Sequence, residues 1–401
     1  MSLLPVKDAL ERLLQGAVAC EPETVPLAEA AGRILAEDVR ALRTQPPFDA
    51  AAMDGYAVRA QDVETVPVTL QIIGEAPAGR RFNGQIGRSQ AVRIFTGAPV
   101  PEGADTIVIQ ENARKLGQDT VEVLETVAAG RHIRRKGLDF VTGDLLLEKG
   151  RELDAGALSL VASANHPRLD VVKRPLLAII ATGDELLPPG SELGPDQIVA
   201  SNAFGVAAIA TSVGARVLDL GIVPDSRPAI AARIRQALDH DADVVVMLGG
   251  ASVGDHDLTH EALVSEGMVL DFWKIAMRPG KPLMFGRRGR TRFLGLPGNP
   301  VASLVCSHLF LKPLLSRLAG RPFEPDLRQA VLGKPMAANG RRQDFVRAVL
   351  REGHDGPVAT PFEVQDSSML RTFAEANALI IRDPFAPAAP AGAPCTVLKL
   401  R

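Results

Sequence analysis

The run Asp243-Val-Val-Val-Met-Leu-Gly-Gly-Ala-Ser-Val-Gly-Asp-His-Asp257 decides the fold class of this 401-residue chain. Its five consecutive apolar residues predict a strand, and the glycine-rich acidic turn that follows predicts where the strand ends. A strand that is apolar throughout is buried on both faces, which is typical of a parallel sheet covered by helices. The run therefore predicts an α/β domain with functional residues beyond the end of this strand.

The same alternation of strand and helix continues on both sides of this run. Strands are predicted at 176–180, 216–222 and 243–248, and helices at 202–213, 226–240 and 301–318. Such alternation predicts a mostly parallel sheet with right-handed crossovers, contained in a domain at 174–324.

The remaining segments differ in texture from this domain. Amphipathic helices are predicted at 6–19 and 26–39, and a third at 154–165 with Asp154 as its N-cap. Short alternating runs interrupted by glycine and proline predict an inserted β-rich domain at 46–146 and a second β domain at 325–401. Residues 1–45 and 147–173 then form the N-terminal helices and linker region.

Charge and cysteine content exclude several classes of function. The 45 Lys and Arg residues nearly balance the 47 Asp and Glu residues, so no overall field favours nucleic acid or an anionic membrane as a partner. The N terminus lacks the apolar core of a signal peptide, and no apolar run approaches the roughly 18 residues that a membrane span needs. The three widely spaced cysteines suit a reducing compartment. These features predict a cytoplasmic protein.

Acidic residues follow all three predicted strands of the α/β domain. Glu185 follows the first strand, Asp225 the second and Asp257 the third. If the strands are neighbours, these carboxylates converge in one crevice, and such oxygen ligands suit Mg²⁺ shared with substrate phosphates. Any one of them is also explained as a helix cap or a solvated loop acid, most strongly Asp225 beside Ser226. Three at consecutive strand ends favour the metal site.

Two further loops supply positive charge and backbone donors. Arg278 and Lys281 flank Pro279-Gly280, so two cations project from one short turn. Charge-assisted contacts to an oxyanion contribute about 1.5 to 3 kcal/mol each, although a solvated turn is the simpler reading. Pro297-Gly298-Asn299-Pro300 precedes a long apolar helix, where it is either an anion site at the helix start or a stiff turn.

The glycine-rich turn itself is a candidate oxyanion cradle. Glycines at 249, 250 and 254 let the main chain approach a phosphate closely, and Ser252 adds a hydroxyl donor. Its spacing matches neither the dinucleotide-binding nor the P-loop pattern, so neither of those assignments gains support.

Seven motifs occur in order along the chain. They are Met53-Asp54-Gly55-Tyr56-Ala57-Val58, Thr96-Gly97-Ala98-Pro99, Arg134-Arg135-Lys136-Gly137-Leu138-Asp139, Thr182-Gly183-Asp184-Glu185-Leu186, Gly249 to Asp257, Arg278-Pro279-Gly280-Lys281-Pro282 and Gly295-Leu296-Pro297-Gly298-Asn299-Pro300. Together they resemble the motifs of the molybdopterin molybdenumtransferase family, known as MoeA in bacteria and as the gephyrin E domain in animals. The resemblance covers essentially the whole chain. Arg278 stands where several members carry lysine.

The resemblance implies a multidomain α/β plus β fold. Its central α/β domain, similar to MogA and MoaB, would bind molybdopterin, beside an inserted β-rich domain and a C-terminal β barrel. It also implies a homodimer with a shared active site, in which the β-rich domain of one subunit faces the α/β crevice of the other. The implied reaction inserts molybdate into adenylylated molybdopterin with Mg²⁺, releasing AMP and giving Mo-molybdopterin. Implied partners are the molybdopterin adenylyltransferase and molybdoenzyme maturation proteins.

The resemblance further implies roles for individual residues. The implied catalytic residues are Asp54, Asp139, Glu185, Asp225, Asp257 and Lys274, of which Glu185, Asp225 and Asp257 are also the implied metal ligands. The implied cofactor-binding residues are Thr96, Arg134, Gly250, Ser252, Gly254, Arg278, Lys281, Pro297, Gly298, Asn299, Pro300, Arg347 and Ser367.

Two other functions stay open at this point. One is molybdopterin adenylylation, which a related α/β fold performs; the inserted β-rich domain and the barrel favour the transferase, since the α/β domain alone would suffice for adenylylation. The other is a non-catalytic pterin-binding scaffold, against which the complete set of charged site residues argues.

Overall fold

A computed structural model of the chain describes residues 3–249 and 258–401. The chain forms two compact units. The larger unit comprises Met1–Glu23, Gly32–Ile34 and Val171–Arg401, and the β-rich unit comprises Thr24–Ala31 and Leu35–Asp170. The four-part division at residues 46, 147, 174 and 325 stays a prediction.

Short strands dominate the chain up to residue 172. The elements there are α1 (Val6–Leu14), β1 (Pro22–Pro26), β2 (Val39–Arg40), β3 (Ala50–Ala51), β4 (Gly55–Val58), β5 (Val68–Ala76), β6 (Gln90–Ile94), β7 (Thr106–Ile109), β8 (Ala113–Lys115), β9 (Thr120–Val123), β10 (Ile133–Arg134), β11 (Leu145–Leu147), α2 (Ala155–Ser163) and β12 (Arg168–Val172). Asp154 caps α2 as predicted, accepting a hydrogen bond from the Ala157 N–H at 2.8 Å.

A six-stranded sheet forms the centre of the β-rich unit, in the order β7-β4-β6-β5-β9-β8. All its pairs are antiparallel except β5 with β6. Along β4, Tyr56 and Val58 pack into one hydrophobic cluster while Ala57 packs into another, because successive side chains of a strand point to opposite faces. Both faces of this sheet are therefore covered, and the inserted β-rich architecture is confirmed.

The larger unit alternates strands and helices from residue 176 onwards. The elements are β13 (Leu176–Thr182), β14 (Leu186–Leu187), β15 (Ile198–Val199), α3 (Asn202–Ser212), β16 (Arg216–Val223), α4 (Arg227–Asp239), β17 (Val244–Leu248), α5 (Leu258–Ser265), β18 (Val269–Lys274), β19 (Met277–Arg278), β20 (Pro282–Arg288), β21 (Thr291–Leu296), α6 (Pro300–Cys306), the π-helical segment Ser307–Leu311 and α7 (Lys312–Leu318).

The main sheet of this unit has the strand order β16-β13-β17-β21-β20-β18. The first four strands are mutually parallel, and β20 and β18 extend the sheet in antiparallel fashion. Every residue of β17 is buried, with Val246 in the cluster on one face and Val245 in the cluster on the other. A continuous apolar run fits such a position because both faces are covered. The mostly parallel α/β sheet is confirmed.

The last strands close a small barrel. The elements are β22 (Leu327–Leu332), β23 (Gln343–Gly353), β24 (Gly356–Pro361), α8 (Leu370–Glu375), β25 (Ala378–Arg382) and β26 (Pro394–Lys399). The strands follow the order β23-β24-β22-β26-β25, and β25 pairs back with β23, so a five-stranded barrel results. The short strand β19 adds in parallel to β23. The predicted C-terminal barrel is confirmed.

Two helix predictions near the N terminus are corrected. The predicted helix at 26–39 was wrong, because only Leu27–Glu29 forms a single 3₁₀ turn. Gly32 takes a positive φ of 66°, which a right-handed helix does not allow, and the backbone of Leu35 pairs with Arg151 instead. The first helix forms but ends at Leu14, five residues earlier than predicted.

The helical run Pro300–Leu318 is the one described helix with the length and composition of a membrane span, and 78% of it is buried inside the protein. It lies in the core of the larger unit, and a buried core helix can have the same length and apolar composition as a membrane span. Its π-helical segment precedes Pro313, whose ring removes one N–H donor and crowds the carbonyl of Leu309, so the widened turn relieves that conflict.

Phe310 offers a test of this packing. Its side chain is fully buried in the core cluster, so we expect Phe310→Ala to lower the free energy of unfolding by about 3 to 5 kcal/mol through lost contacts and a residual cavity. Phe385→Ala is the matched control because Phe385 is 75% exposed. Urea unfolding followed by the fluorescence of Trp273, the sole tryptophan, measures both variants. Equal destabilisation would contradict the core assignment.

Candidate active site

The carboxyl ends of β16, β13, β17 and β21 lie side by side at one edge of the main sheet, which we call the strand-end edge. β13 lies between β16 and β17, so the carboxyl ends of these three strands are direct neighbours. Glu185 follows β13 and Asp225 follows β16. Asp257, the expected third carboxylate, lies outside the described residues, as do Gly250, Ser252 and Gly254.

The acidic side chains at this edge repel one another. The Asp225 N–H donates to Oδ1 of Asp184 at 3.0 Å, which draws the two residues together. Although Asp225 is exposed, the surrounding protein partly desolvates it, and this raises the pKa of its carboxyl above the ordinary value. The charges of Asp184 and Glu185 raise that pKa further. Asp225 does not cap the next helix, because Ser226 does so through Ala229.

These carboxylates fit a divalent cation. Three acidic groups at one edge are held against their mutual repulsion, which a bound cation would relieve, and their oxygens are the ligand type that Mg²⁺ prefers. Within residues 3–249 and 258–401, no group of three Asp, Glu, His or Cys side chains is arranged tightly enough to hold a metal by itself. Completing a ligand set would therefore require residues beyond those described, or substrate oxygens.

Gly249 sets the entry to the glycine-rich turn. Its φ is +94°, and a methyl group at this position would lie 2.5 Å from the carbonyl oxygen of Thr182. Only glycine lets the end of β17 pass so close to the end of β13. The hydroxyl of Thr182 is buried there and has no hydrogen-bond partner within the described part of the chain.

Pro297-Gly298-Asn299-Pro300 forms a braced turn between β21 and α6. The Asn202 side chain donates to the Gly298 carbonyl at 2.7 Å, and the Asn299 side chain donates to the Ser367 hydroxyl at 2.8 Å. The Val301 N–H donates to the Ser367 carbonyl at 3.0 Å. Pro300 has no N–H, so the first free amide of α6 is that of Val301, and it is already bonded to Ser367. Ser367, in the loop before α8, therefore holds the start of α6 in place.

The cation turn, which we define as residues 278–281, lies beside the barrel. Arg278 pairs in register with Asp344 of β23, and its guanidinium donates to the Asp344 carboxylate. The Arg278 side chain remains 60% exposed, whereas that of Asp344 is only 6% exposed. Gly280 packs onto Cys306, since a methyl group there would lie 2.5 Å from the Cys306 Sγ. The turn thus packs against the buried Asp344 and Cys306, while the Arg278 side chain is exposed to solvent.

Lys274 and Lys281 lie at the two ends of the segment that contains this turn. The Ile275 N–H donates to the Lys281 carbonyl at 3.0 Å. The chain therefore folds back on itself, and the backbones of the two lysines lie close together in space. Lys274 is exposed at the end of β18, and Lys281 is half-buried. Three cations, counting Arg278, are therefore presented from one short segment.

Arg347 is buried in the barrel and bonded to the loop that follows β24. Its side chain is 1% exposed; Nε donates to Gln365 Oε1 at 3.0 Å and Nη1 to the Asp366 carbonyl at 2.6 Å. Burial lowers the pKa of the Arg347 guanidinium, while the charge of Asp366 opposes that shift. Arg347 therefore shapes the loop that presents Ser367 to the Asn299 side chain.

In the β-rich unit, the structure brings Asp54 and Thr96 together. Oδ1 of Asp54 accepts the Thr96 N–H at 2.8 Å and the Thr96 hydroxyl at 2.7 Å. These bonds lower the pKa of the Asp54 carboxyl, so it is ionised at neutral pH. Arg134 is exposed on β10, and the exposed Asp139 is tied through its N–H to the Gln45 carbonyl at 3.0 Å.

Several contributing residues were missed at the level of sequence. Asp344 was missed because strand register, which no local pattern shows, brings it to Arg278. Gln365 was missed because it reaches Arg347 from the loop between β24 and α8, 18 residues further along the chain. Asp49 was missed because its partners, the Arg135 side chain and the Lys136 N–H, lie 86 and 87 residues away in the sequence. Asp184 was quoted within a motif, and its acidic neighbour Glu185 was a usable signal.

Proteins similar to this chain over most of its length share one name. A molybdopterin molybdenumtransferase of Haemophilus influenzae is 35% identical over 364 residues, covering 90% of this chain and 89% of that protein. Molybdopterin molybdenumtransferase 2 of Mycobacterium tuberculosis is 37% identical over 374 residues, covering 90% and 91%. The chain belongs to the molybdopterin molybdenumtransferase family. It is a transferase of molybdenum cofactor biosynthesis.

Family profiles and solved structures agree with membership of the molybdopterin molybdenumtransferase family. The MoeA N-terminal region, domains I and II, matches residues 4–165; a probable molybdopterin binding domain matches 178–317; and the MoeA C-terminal region, domain IV, matches 329–400. A crystal structure of a molybdopterin biosynthesis MoeA protein from Pyrococcus horikoshii is 30% identical, with a TM-score of 0.83 and full coverage of both chains. A second from the same organism is 27% identical, with a TM-score of 0.77 and coverage of 99% and 100%.

The repulsion at the strand-end edge can be tested through its pH dependence. Because the pKa of Asp225 is raised in the folded state, its ionisation disfavours folding, and this penalty is absent at low pH and appears as pH rises through the folded pKa. Asp184→Asn keeps the acceptor for the Asp225 N–H and removes one repelling charge. We expect it to raise Tm at about pH 7 and leave Tm nearly unchanged at about pH 3, where the raised pKa of Asp225 leaves that carboxyl protonated and uncharged.

Thermal unfolding at both pH values measures this effect, with Glu192→Gln as the control because Glu192 is an exposed loop acid. A gain for Asp184→Asn that is no larger at neutral than at acid pH would contradict the repulsion.

Proposed function

We propose that this chain inserts molybdate into adenylylated molybdopterin in a Mg²⁺-dependent reaction that releases AMP and gives Mo-molybdopterin. The observation that carries the proposal is the pairing of two opposite charge sets in one unit. They are the mutually repelling carboxylates at the strand-end edge and the cations on and beside the cation turn, of which Arg278 and Lys274 are exposed. A reaction between an oxyanion and a substrate that carries a pyrophosphate needs both sets. Family membership supplies the reaction class.

The acidic set is assigned to the pyrophosphate end of the substrate. Glu185, Asp225 and Asp257 would hold Mg²⁺, which when bound lowers the charge on phosphoryl oxygens. Asp225 must lose its proton to act as a ligand, and its raised pKa makes that loss harder without a cation. Asp54 is ionised because Thr96 donates two hydrogen bonds to it, so it would act as an acceptor rather than as an acid.

The cationic set is assigned to molybdate. Arg278, Lys274 and Lys281 would bind the oxyanion, with the Ser367 hydroxyl and the braced turn at Pro297, Gly298, Asn299 and Pro300 shaping the site. Arg347 would position Ser367 without touching the substrate, because its guanidinium donates hydrogen bonds to Gln365 and Asp366. Gly250, Ser252 and Gly254 would cradle the phosphates, and Arg134 and Asp139 would act from the β-rich unit.

The proposal includes a homodimer with a shared site and action in the cytoplasm. Free cysteines at 20, 306 and 395 support a reducing compartment. Proposed partners are the adenylyltransferase that supplies the pterin and the proteins that mature molybdoenzymes.

Molybdate-dependent release of AMP tests the reaction directly. Purified protein is incubated with adenylylated molybdopterin, with and without molybdate and with and without Mg²⁺. We expect AMP only when protein, molybdate and Mg²⁺ are all present, because the reaction needs both the oxyanion and a pyrophosphate with bound Mg²⁺. Sulfate in place of molybdate is the control for a general effect of oxyanions.

The same assay distinguishes the other two functions. Turnover of ATP with free molybdopterin, without molybdate-dependent AMP release, would establish adenylylation instead. No turnover in either assay together with tight pterin binding would establish the scaffold.

The shared site predicts complementation between inactive variants. Asp54→Asn disables the face contributed by the β-rich unit, and Glu185→Gln disables the face contributed by the larger unit. Co-expressed with distinguishable tags, they should form mixed dimers in which one of two sites is intact, giving about a quarter of wild-type AMP release after random association.

Asp54→Asn co-expressed with Thr96→Ala is the matched control, since both changes disable the same face and neither mixed site is intact. If the mixture with Glu185→Gln releases no more AMP than the mixture with Thr96→Ala, the site is not shared between subunits.

A further inference from the structure

One carboxylate is buried against the cation turn. Asp344 lies on β23, its side chain is 6% exposed, and it accepts a hydrogen bond from the guanidinium of Arg278. A carboxylate next to cations that bind an oxyanion weakens their attraction for that oxyanion, so charge alone gives no reason for its presence. Its contribution must come from geometry.

The backbone fixes Asp344 on both sides. Its register partner on β19 is Arg278, and its register partner on β25 is Arg382. The neighbouring Gln343 N–H donates to the Ala276 carbonyl at 2.8 Å, so the barrel strand and the approach to the cation turn are joined. Arg382 is already engaged with the Ala337 and Pro387 carbonyls. The backbone of Asp344 is thus held in place, and Arg278 is the more exposed partner of the pair.

The pair opens into a cleft of about 360 Å³ on the barrel side of the cation turn. Arg278, Asp344 and Gln365 line it together with Lys334 and Glu363, which form their own exposed ion pair at 3.0 Å. A guanidinium has five N–H donors in a rigid fork, and the contact with Asp344 uses one edge. The remaining donors stay available on a side chain that is 60% exposed.

We propose that Asp344 is a positioning residue that holds the Arg278 guanidinium in its oxyanion-binding orientation. The inference deepens the proposed function and rests on it, because it takes Arg278 as a molybdate contact. An unanchored arginine loses side-chain freedom when it binds, whereas one already held by a buried carboxylate loses less. Immobilising one such side chain is enough to change affinity by roughly 3- to 10-fold.

Two substitutions of Asp344 separate geometry from charge. Asp344→Asn and Asp344→Ala both remove the negative charge, but asparagine keeps an acceptor for Arg278 and alanine does not. We expect the molybdate concentration for half-maximal AMP release to be about 3- to 10-fold higher for Asp344→Ala than for Asp344→Asn. The maximal rate should stay equal in the two variants, because Asp344 touches no reacting atom.

Glu363→Ala is the matched control. It removes a carboxylate from the same cleft, but its partner is Lys334 and not Arg278. It should leave the half-saturating molybdate concentration within about twofold of wild type, since an exposed pair contributes little. Thermal unfolding verifies that each variant is folded, and a purely structural Asp344 would change Tm and the active fraction without changing the molybdate dependence.

The role of Arg278 is isolated in a second background. With Arg278→Met nothing remains to be positioned, and Asp344 becomes an unpaired negative charge beside an oxyanion site. In this background Asp344→Ala and Asp344→Asn should have the same molybdate affinity, because both remove the charge and no arginine is left to be held. Equal molybdate dependence of the alanine and asparagine variants when Arg278 is present, or the same difference between them with Arg278→Met, overturns the proposal.

Molybdate binding measured by calorimetry on the full chain keeps the two proposals distinguishable. If wild-type protein releases no AMP but binds molybdate, the proposed function fails, while the ratio of affinities of the two Asp344 variants still tests positioning. If AMP release is normal and the affinities of both variants are equal, only the positioning role fails.

Discussion

The parallel register of β16, β13, β17 and β21 is the constraint on which the larger unit depends. Parallel strands end at the same edge, so three chain segments far apart in sequence must meet there. The strands can be parallel only because helices cover both faces, and the fully apolar β17 reflects that double burial. Gly249 then lets neighbouring strand ends approach more closely than a side chain would allow. The acidic edge is a consequence of this packing.

The barrel contributes to the site by bracing it. Ser367 ties down the turn before α6, and the buried Arg347 holds the loop that carries Ser367. Asp344 does the same for Arg278 through strand pairing between β19 and β23. An α/β domain alone would leave the cation turn and the proline-rich turn free to move, and a mobile site loses affinity each time it orders on binding. This is a physical reason for the barrel to accompany the α/β domain in one chain.

Sequence patterns predicted the parts of this structure that local physics determines. Long apolar runs such as β17 and capped helices such as α2 were found, because burial and capping leave marks on consecutive residues. The prediction of a helix at 26–39 was wrong because it relied on apolar spacing and gave no weight to Gly32, whose positive φ is incompatible with a right-handed helix. The Arg278–Asp344 contact joins residues 66 positions apart through strand register, which no local pattern contains. The candidate acids and cations were therefore predictable, whereas their bracing partners were not.

The two charge sets of the larger unit are in opposite electrostatic states. Arg278 already has a carboxylate partner, so its orientation is set before any anion arrives. Partial desolvation raises the pKa of the Asp225 carboxyl, and the charges of Asp184 and Glu185 raise it further, so the fold disfavours its ionised form. A site prepared for an anion gains from orientation, and a site prepared for a cation gains from charge that is not yet neutralised. Ordered cations and unrelieved carboxylates in one unit are what the proposed reaction requires, because one of its substrates is an oxyanion and the other carries a pyrophosphate with bound Mg²⁺.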